Sequence, residues 1–218
     1  MRNQNTIDLQ TSELPLEILA EKTAAVLKQG GVIIYPTDTI YGLGADPFRM
    51  EAVDRVYALK GRSFQKPCSV LIGSVDMLQE IVETVTPAAK DLMRVFWPGS
   101  LTLVFRVKHF VQGRFLAKNR TLGVRLPDHP FSRQVSAALG SPILSTSANR
   151  SGGQNPLFIA DIPAEIRHGV DLIVDEGPSR LTKPSTILNV SGDRPLLIRE
   201  GTISRAAIEK IVGKIQHL

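Results

Sequence analysis

The sequence predicts an α/β fold in one domain, and three observations carry that prediction. Short apolar runs, as long as buried strands, alternate with longer segments whose apolar residues recur at helical spacing. Such alternation is typical of a sheet with flanking helices. Of the 218 residues, 43% are apolar and 22% are charged, and no repeat or low-complexity linker divides them. We therefore assign residues 15–218 to one domain and residues 1–14 to a polar N-terminal arm.

The first half of the chain contains a clear helix followed by a ligand-binding signal. Residues 16–29 are predicted to be helical because their apolar positions form one face, with Pro15 before them and Gly30 after them. Residues 36–44 are rich in hydroxyls and glycine, and predict a loop at a strand end, where ligands gather in α/β proteins. The other elements predicted here are strands at 32–35, 68–72 and 101–107, and helices at 50–59, 75–85 and 87–96.

The second half continues the alternation of strands and helices. Ser204 is predicted to cap a last helix at residues 206–215, because a serine hydroxyl can accept a hydrogen bond from a free backbone N–H. The other predicted elements are a helix at 130–139 and strands at 122–126, 143–145, 172–174, 185–190 and 196–199.

The composition excludes several classes of protein. The 26 basic and 21 acidic residues leave a net charge of +5, which suits an anionic substrate or an RNA surface without establishing either. Cys68 is the only cysteine, and the four histidines are widely scattered, so neither an internal disulfide nor a protein-built metal site is expected. No apolar run approaches the roughly 20 residues of a membrane helix. Since no secretory signal is recognised either, we expect a cytoplasmic protein without a membrane partner.

A cluster of cations is predicted at the end of the second helix. Lys60 and Arg62 flank Gly61, and Lys66 follows four residues after Arg62. Because a glycine can end the helix there, both cations can turn toward one ligand, and an arginine can grip a phosphate through two parallel hydrogen bonds. The alternative is a solvated helix end, where the helix dipole favours cations.

A run of hydroxyl side chains follows the strand predicted at 143–145. Ser145, Thr146, Ser147 and Asn149 can donate hydrogen bonds to phosphate or carboxylate oxygens, and a glycine-rich turn follows them. The alternative is a polar turn whose side chains cap their own backbone. A nucleophilic serine has no support, because the Gly-x-Ser-x-Gly pattern is absent from the sequence. With the cation cluster, this segment predicts a polyphosphate site.

Two further arginines lie on or at the end of predicted strands. Thr121 and Arg125 share one face of an extended chain, because its side-chain period is two. Arg125 can hold a carboxylate bidentately, and an ordinary surface ion pair is the alternative. Arg199 ends an apolar strand, which is an unusual place for a charge unless the strand end meets a ligand or partner.

Together these motifs resemble those of the YrdC-like family, the threonylcarbamoyl-adenylate synthases. The similarity covers about residues 15–205 and lies in motifs that follow the family's order. These motifs are residues 36–44, 60–62, 121–125, 145–149 with 151–152, 184–186 and 199–201. The resemblance implies a twisted mixed sheet with flanking helices around a deep, positively charged cavity.

The resemblance also implies an activity. Family members form L-threonylcarbamoyladenylate and pyrophosphate from L-threonine, bicarbonate and ATP, and we expect Mg²⁺ to accompany the ATP. A partner transferase then moves the threonylcarbamoyl group to tRNA. Family members have also been associated with double-stranded RNA. An RNA-binding or ribosome-associated protein without synthase activity is therefore the alternative.

The family's functional positions can be carried over where the motifs match. The implied threonine site comprises Thr39, Arg125, Ser145 and Ser185. The implied ATP site comprises Arg62, Lys66, Thr121, Ser147, Asn155 and Arg199. The implied catalytic signature is Lys60, Arg62, Ser147 and Asn149.

Three residues depart from the family's pattern. Ser63 stands where proline is common, Leu71 where the longer members carry a histidine, and Asn155 where serine is usual. The longer members also carry a C-terminal domain that this sequence lacks, so the resemblance is to the short, single-domain type.

Overall fold

The structure is a computed structural model that describes residues 5–217, and a single mixed sheet of 11 strands runs through it. The strands are β1 (Asn5–Asp8), β2 (Ile33–Tyr35), β3 (Gly42–Ala45), β4 (Ser69–Leu71), β5 (Leu101–Arg106), β6 (Thr121–Arg125), β7 (Ile143–Ser147), β8 (Leu172–Asp175), β9 (Thr186–Asn189), β10 (Leu196–Arg199) and β11 (Gln216–His217). Their order across the sheet is β1-β8-β2-β3-β7-β4-β6-β5-β9-β10-β11. Parallel and antiparallel neighbours occur in equal number, which confirms the predicted mixed α/β sheet.

Helices flank the sheet on both faces. They are α1 (Leu16–Lys28), α2 (Met50–Lys60), α3 (Val75–Ile81), α4 (Pro87–Phe96), α5 (Pro130–Leu139), α6 (Ala164–Gly169) and α7 (Arg205–Val212), with a 3-10 turn at Ile159–Asp161. Their ends follow from local chemistry. The side chains of Ser74, Thr86 and Ser204 each accept a hydrogen bond from a first-turn backbone N–H, so the predicted Ser204 cap is confirmed. Gly61 and Gly140 end α2 and α5 in the left-handed conformation that glycine adopts easily.

The two faces of the sheet carry separate apolar cores. Helices α1 and α5 pack together on one face, over a core that includes Leu27, Tyr35 and Phe131. The other helices pack over a larger core that includes Val56 and Ile34. Adjacent residues of β2 divide between the two cores, because side chains alternate across a strand. Only two helices cover the first face, and the site described below lies beside them.

The structure differs from the sequence prediction in several places. Strand β3 begins within the predicted loop at 36–44 and extends one residue beyond it. Strand β7 continues through Ser147, so the hydroxyl run belongs to a strand rather than a turn. Part of the predicted arm forms β1 on the sheet edge, while residues 1–4 lie outside the described residues. The 3-10 turn, α6 and β11 are additional elements, and the helix predicted at 75–85 ends at Ile81.

Candidate functional site

A cavity of about 170 Å³ lies on the α1–α5 face, where seven strands of the sheet and the loops beside them meet. Leu71 belongs both to the core under α1 and α5 and to the cavity wall. The wall comprises Thr37, Thr39, Ile40, Tyr41, Gly42, Arg62, Pro67, Cys68, Ser69, Leu71, Thr102, Arg125, Ser145, Thr146, Ser147, Pro184, Ser185, Ile187 and Arg199. Residues from both predicted motifs, such as Arg62 and Ser145, therefore line one cavity although they are 83 residues apart in the sequence.

Strand pairing brings the serine hydroxyls of β7 to this wall. Ser147 pairs with Gly42, and Ser145 pairs with Gly44. The absence of side chains on these glycines leaves room for the ring of Tyr35, whose hydroxyl donates to Ser145 Oγ at 2.8 Å. Burial raises the pKa of the Tyr35 phenol, so its hydroxyl keeps its proton and donates this hydrogen bond. The Ser145 hydroxyl has no other partner among the described residues, so its proton is available to a ligand.

Arg125 is a buried cation fixed from three sides. Its Nε donates to the carbonyl oxygen of Gly99 at 2.9 Å, and its Nη1 donates to Thr39 Oγ1 at 3.0 Å. Its Nη2 forms an ion pair with Asp38, and the two side chains are only 6% and 8% exposed. The surface ion pair that the sequence left open for Arg125 is therefore not what the structure contains.

Arg62 and Arg199 complete a group of three guanidinium groups on the wall. Arg62 follows the left-handed Gly61 and donates to the carbonyl oxygens of Lys66 and Pro67, at 3.2 and 2.8 Å. Arg199 donates to the carbonyl oxygen of Ser185 at 2.8 Å. The pKa of Arg199 is lowered, first by loss of surrounding water and then by the charges of Arg125 and Arg62.

Lys60 does not lie on the wall, and its predicted convergence with Arg62 on one ligand is not observed. Its side chain is 2% exposed, and its ammonium donates to the backbone carbonyl oxygens of Ser147 and Asn149, the latter at 2.7 Å. A third bond reaches Asn149 Oδ1 at 3.1 Å. The physical reason is that two backbone carbonyl oxygens lie beside the end of α2 and accept from the ammonium. They belong to Ser147, the last residue of β7, and to Asn149, two residues beyond it. Burial, followed by the charge of Arg62, lowers the pKa of Lys60 to about 8.

Four other predicted residues also lie off the wall. Asn149 is buried beneath it, accepts from Ser147 Oγ at 2.6 Å and donates to the carbonyl oxygen of Gly153 at 2.7 Å. Thr121 is buried at the start of β6, where its hydroxyl donates to Asn119 Oδ1. Lys66 and Asn155 are exposed outside the cavity. Thr39, Ser145, Ser147 and Ser185, like the three arginines, lie on the wall.

The wall is positively charged. It carries three guanidinium groups, and within the described residues no Asp or Glu lines it. Asp38 pairs with Arg125 from behind. Fixed cations and hydroxyls with little opposing charge favour an anion with several oxygen atoms.

Sequence reasoning missed several polar wall residues, among them Thr37 and Thr102. Thr37 lies in the motif at 36–44 but was not singled out. Thr102 could have been found from its strand, since it is the polar member of an otherwise apolar run and alternation places it opposite the core. The structure pairs Thr102 Oγ1 with Ser185 Oγ at 2.9 Å.

In the described part of the chain, no group of three or more His, Cys, Asp or Glu side chains is placed to hold a metal ion. Among the same residues, no helix is long and apolar enough to cross a membrane.

Comparison with known proteins begins with a family model. The model of the Sua5/YciO/YrdC family, described as "Telomere recombination", matches residues 25–201. The chain is 35% identical over 195 residues to the threonylcarbamoyl-AMP synthase of Bacillus subtilis, covering 89% of this chain and 56% of that protein. It is 33% identical over 187 residues to a putative threonylcarbamoyl-AMP synthase of Mycobacterium tuberculosis, covering 86% of both chains.

Solved structures share the fold. Pyrococcus abyssi Sua5 complexed with L-threonine superposes with a TM-score of 0.90 at 28% identity, over 98% of this chain and 62% of that chain. Escherichia coli YciO superposes with a TM-score of 0.82 at 27% identity, over 95% of this chain and all of that chain. The chain thus spans somewhat more than half the length of the Bacillus and Pyrococcus proteins, and the full length of YciO.

Proposed function

This chain belongs to the Sua5/YciO/YrdC family, and we propose that it is an L-threonylcarbamoyladenylate synthase, a nucleotidyltransferase. It would form threonylcarbamoyl-AMP and pyrophosphate from L-threonine, bicarbonate and ATP. One observation carries the proposal: Arg62, Arg125 and Arg199 line a single cavity together with serine and threonine hydroxyls. Two anionic substrates need such a site, because their mutual repulsion must be offset before they can react.

We assign the threonine end of the cavity to the group around Arg125. Its guanidinium would take the threonine carboxylate through paired hydrogen bonds. Thr39 and Ser185 would orient the rest of the amino acid, and Ser145 would offer its free hydroxyl proton. Similarity to a protein solved with L-threonine supports this assignment.

We assign the phosphate end to Arg62 and Arg199, with Ser147 near the α-phosphate. Lys60 and Asn149 would act from beneath the wall by holding the end of β7 in place. Lys66, Thr121 and Asn155 would contact only those parts of ATP that extend beyond the cavity. Mg²⁺ would be held mainly by phosphate oxygens and water, which suits a wall without carboxylates.

The chemistry asks for charge stabilisation more than for proton transfer. The threonine amine and bicarbonate condense to a carbamate with loss of one water, and the carbamate oxygen then attacks the α-phosphorus of ATP as pyrophosphate leaves. Because the carbamate is already an anion, this step needs no strong base. Fixed cations that meet the developing charge would supply the catalysis, and loss of one such donor commonly costs about 10²–10³ in rate.

The product is a reactive mixed anhydride, so a consumer must follow. We propose that a partner transferase passes the threonylcarbamoyl group to tRNA in the cytoplasm. Direct contact between this chain and tRNA or double-stranded RNA is not needed for the adenylation itself.

Mass spectrometry of the reaction tests the proposal. Purified protein is incubated with ATP, Mg²⁺, bicarbonate and L-threonine, and each substrate is omitted in turn. Threonylcarbamoyl-AMP should appear only in the complete mixture, and R62A should lower its rate by about 10²-fold. Arg94→Ala, which removes an exposed guanidinium paired only with Asp91 on α4, is the matched control and should have no effect. Well-folded native protein that forms no adduct would overturn the proposal and favour the RNA-binding alternative.

A further inference from the structure

Asp38 is a buried carboxylate that the reaction does not obviously need. It is 7% exposed, lies behind the cavity wall and pairs with Arg125. Its second oxygen is 3.4 Å from Ser100 Oγ. A buried ion pair is expensive to desolvate and is often no more stabilising than a well-packed apolar pair, so its presence beside a site suggests a role in geometry.

The hydrogen bonds of Arg125 define the orientation of its guanidinium group. A guanidinium has five N–H groups. The Gly99 carbonyl oxygen takes the one on Nε, Thr39 Oγ1 takes one on Nη1, and Asp38 Oδ1 takes one on Nη2. The two N–H groups that remain are on different terminal nitrogens. A carboxylate that accepts from both must therefore bridge the two terminal nitrogens end-on.

The direction in which the Thr39 hydroxyl donates is also fixed, by hydrogen bonds that involve Thr37. Thr37 Oγ1 donates its single proton to the carbonyl oxygen of Ile40 at 2.8 Å. The 3.0 Å contact between the two threonine hydroxyls must then use the proton of Thr39. Because that proton is already used and a guanidinium can only donate, Thr39 Oγ1 accepts from Arg125 and is a second fixed acceptor beside Asp38.

From this arrangement we propose that Asp38 is a positioning residue, which aims Arg125 so that its two free N–H groups grip the carboxylate of the amino-acid substrate. The inference rests on the proposed function and adds a residue to it. Asp38 acts through Arg125 because it does not itself line the cavity. The acceptor oxygen of Asp38 orients Arg125, and the negative charge of Asp38 is not required for that orientation.

The test compares Asp38→Asn with Asp38→Ala in steady-state pyrophosphate release. D38A removes the acceptor and should raise the KM for L-threonine about ten-fold or more, with the KM for ATP unchanged. D38N keeps an acceptor oxygen and should stay within about three-fold of the native KM. Asp91→Ala, which breaks an exposed ion pair with Arg94, is the matched control and should leave both constants unchanged.

A second readout follows the guanidinium directly. In ¹⁵N NMR, a held Arg125 should give separate signals for its two terminal nitrogens, assigned with R125K, and D38A should average them while D38N does not. If D38A fails to fold, Asp38→Leu, which also removes the acceptor but fills the space, replaces it in both measurements.

The outcomes separate the two proposals. A native chain that makes no adenylate overturns the proposed function. A native chain that is active, with D38A showing an unchanged threonine KM or an unchanged Arg125 spectrum, overturns only the inference. A D38N protein as impaired as D38A would also overturn it, because charge rather than aim would then be the requirement.

Discussion

Lys60 and Arg125 are both buried cations, but their partners assign them different tasks. Arg125 has two N–H groups left for a ligand after its bonds to Gly99, Thr39 and Asp38. Lys60 has three N–H groups as an ammonium, and three oxygens of the Ser147–Asn149 segment accept them. Lys60 therefore organises the wall and Arg125 remains free to bind.

Because all three N–H groups of the Lys60 ammonium are hydrogen-bonded, we predict that the activity depends on pH. Its pKa is lowered to about 8, chiefly by burial, so the fraction present as ammonium falls as the pH rises through that value. A neutral amine has only two N–H groups and leaves one of the three acceptors unpaired. We expect kcat/KM for ATP to fall above pH about 8, which a pH–rate profile would measure.

Substitution at Lys60 separates this explanation from others. Lys60→Met should lower kcat/KM by at least about ten-fold at neutral pH, because buried acceptors lose their donor, and should abolish the descending limb. Lys90→Met, at an exposed position on α4, should leave the whole profile unchanged. A K60M enzyme that retains the native descending limb would show that another group titrates.

At the level of single residues, the sequence identified the side-chain types that form the site more readily than the directions in which those side chains point. Arg62, Arg125 and Ser145 were predicted from residue type and position, and the structure puts all three on one wall. The inward turn of Lys60 could not be predicted, because it depends on where β7 ends in space. Asp38 likewise acquires its role only from the Gly99 and Thr39 contacts around Arg125.

Strand β3 shows how an element can be hidden by its own composition. Its residues read as a loop because glycine alternates with apolar residues and is weak in strands. In the sheet those glycines are required, since a Cβ on Gly44 would lie 2.7 Å from Tyr35 Cε1 and 3.1 Å from Ile143 Cγ2. A strand glycine that permits close approach is recognisable only when the approaching ring is known.

The packing at β3 gives a stability prediction. Gly44→Ala should destabilise the protein by roughly 1–3 kcal/mol, because neither the Tyr35 ring nor the buried Ile143 can move aside easily. It should also weaken threonine binding, since Tyr35 holds Ser145. Urea unfolding measures the first effect and titration with L-threonine the second. Gly192→Ala, whose added Cβ would meet nothing within 4 Å, is the control, and equal stability of both variants would contradict the argument.

The helices were predicted better than the strands because their signals are local. Ser204 before α7 and Gly61 after α2 mark helix ends through bonds within a few residues. Strand order has no such local signal. Nothing in residues 101–107 indicates that β5 will pair with β6 on one side and β9 on the other.

The cavity is a property of the whole sheet. The run β3-β7-β4-β6-β5-β9-β10 places side chains from about residue 39 to residue 199 around one space. The sequence predicted these side chains as separate motifs and the resemblance implied their assembly. The sheet order supplies the physical reason, because each motif lies on or directly beside one of these strands.

A second long-range connection joins distant segments at Glu176. His129, at the start of α5, is 1% exposed, and its Nε2 lies 2.8 Å from a carboxylate oxygen of Glu176, just after β8. The other oxygen of Glu176 is 3.4 Å from Arg180, and its backbone carbonyl accepts from the side chain of Gln10. Three parts of the chain that are remote in sequence therefore meet at Glu176.

The pKa of Glu176 turns this connection into a prediction. The hydrogen bond to His129 holds that pKa below its ordinary value of 4.5, so the folded state binds this proton less readily than the unfolded state. The stabilisation is thus present above pH 4.5 and is lost as the pH falls through the lowered folded value. Because Glu176 is about a quarter exposed, we expect about 1 kcal/mol or less. Native protein should lose more stability than Glu176→Gln on acidification, as urea unfolding at successive pH values would measure. Glu165→Gln, at an exposed pair with Arg150, should change the slope little, and an equal change in both variants would refute a special role for the buried histidine.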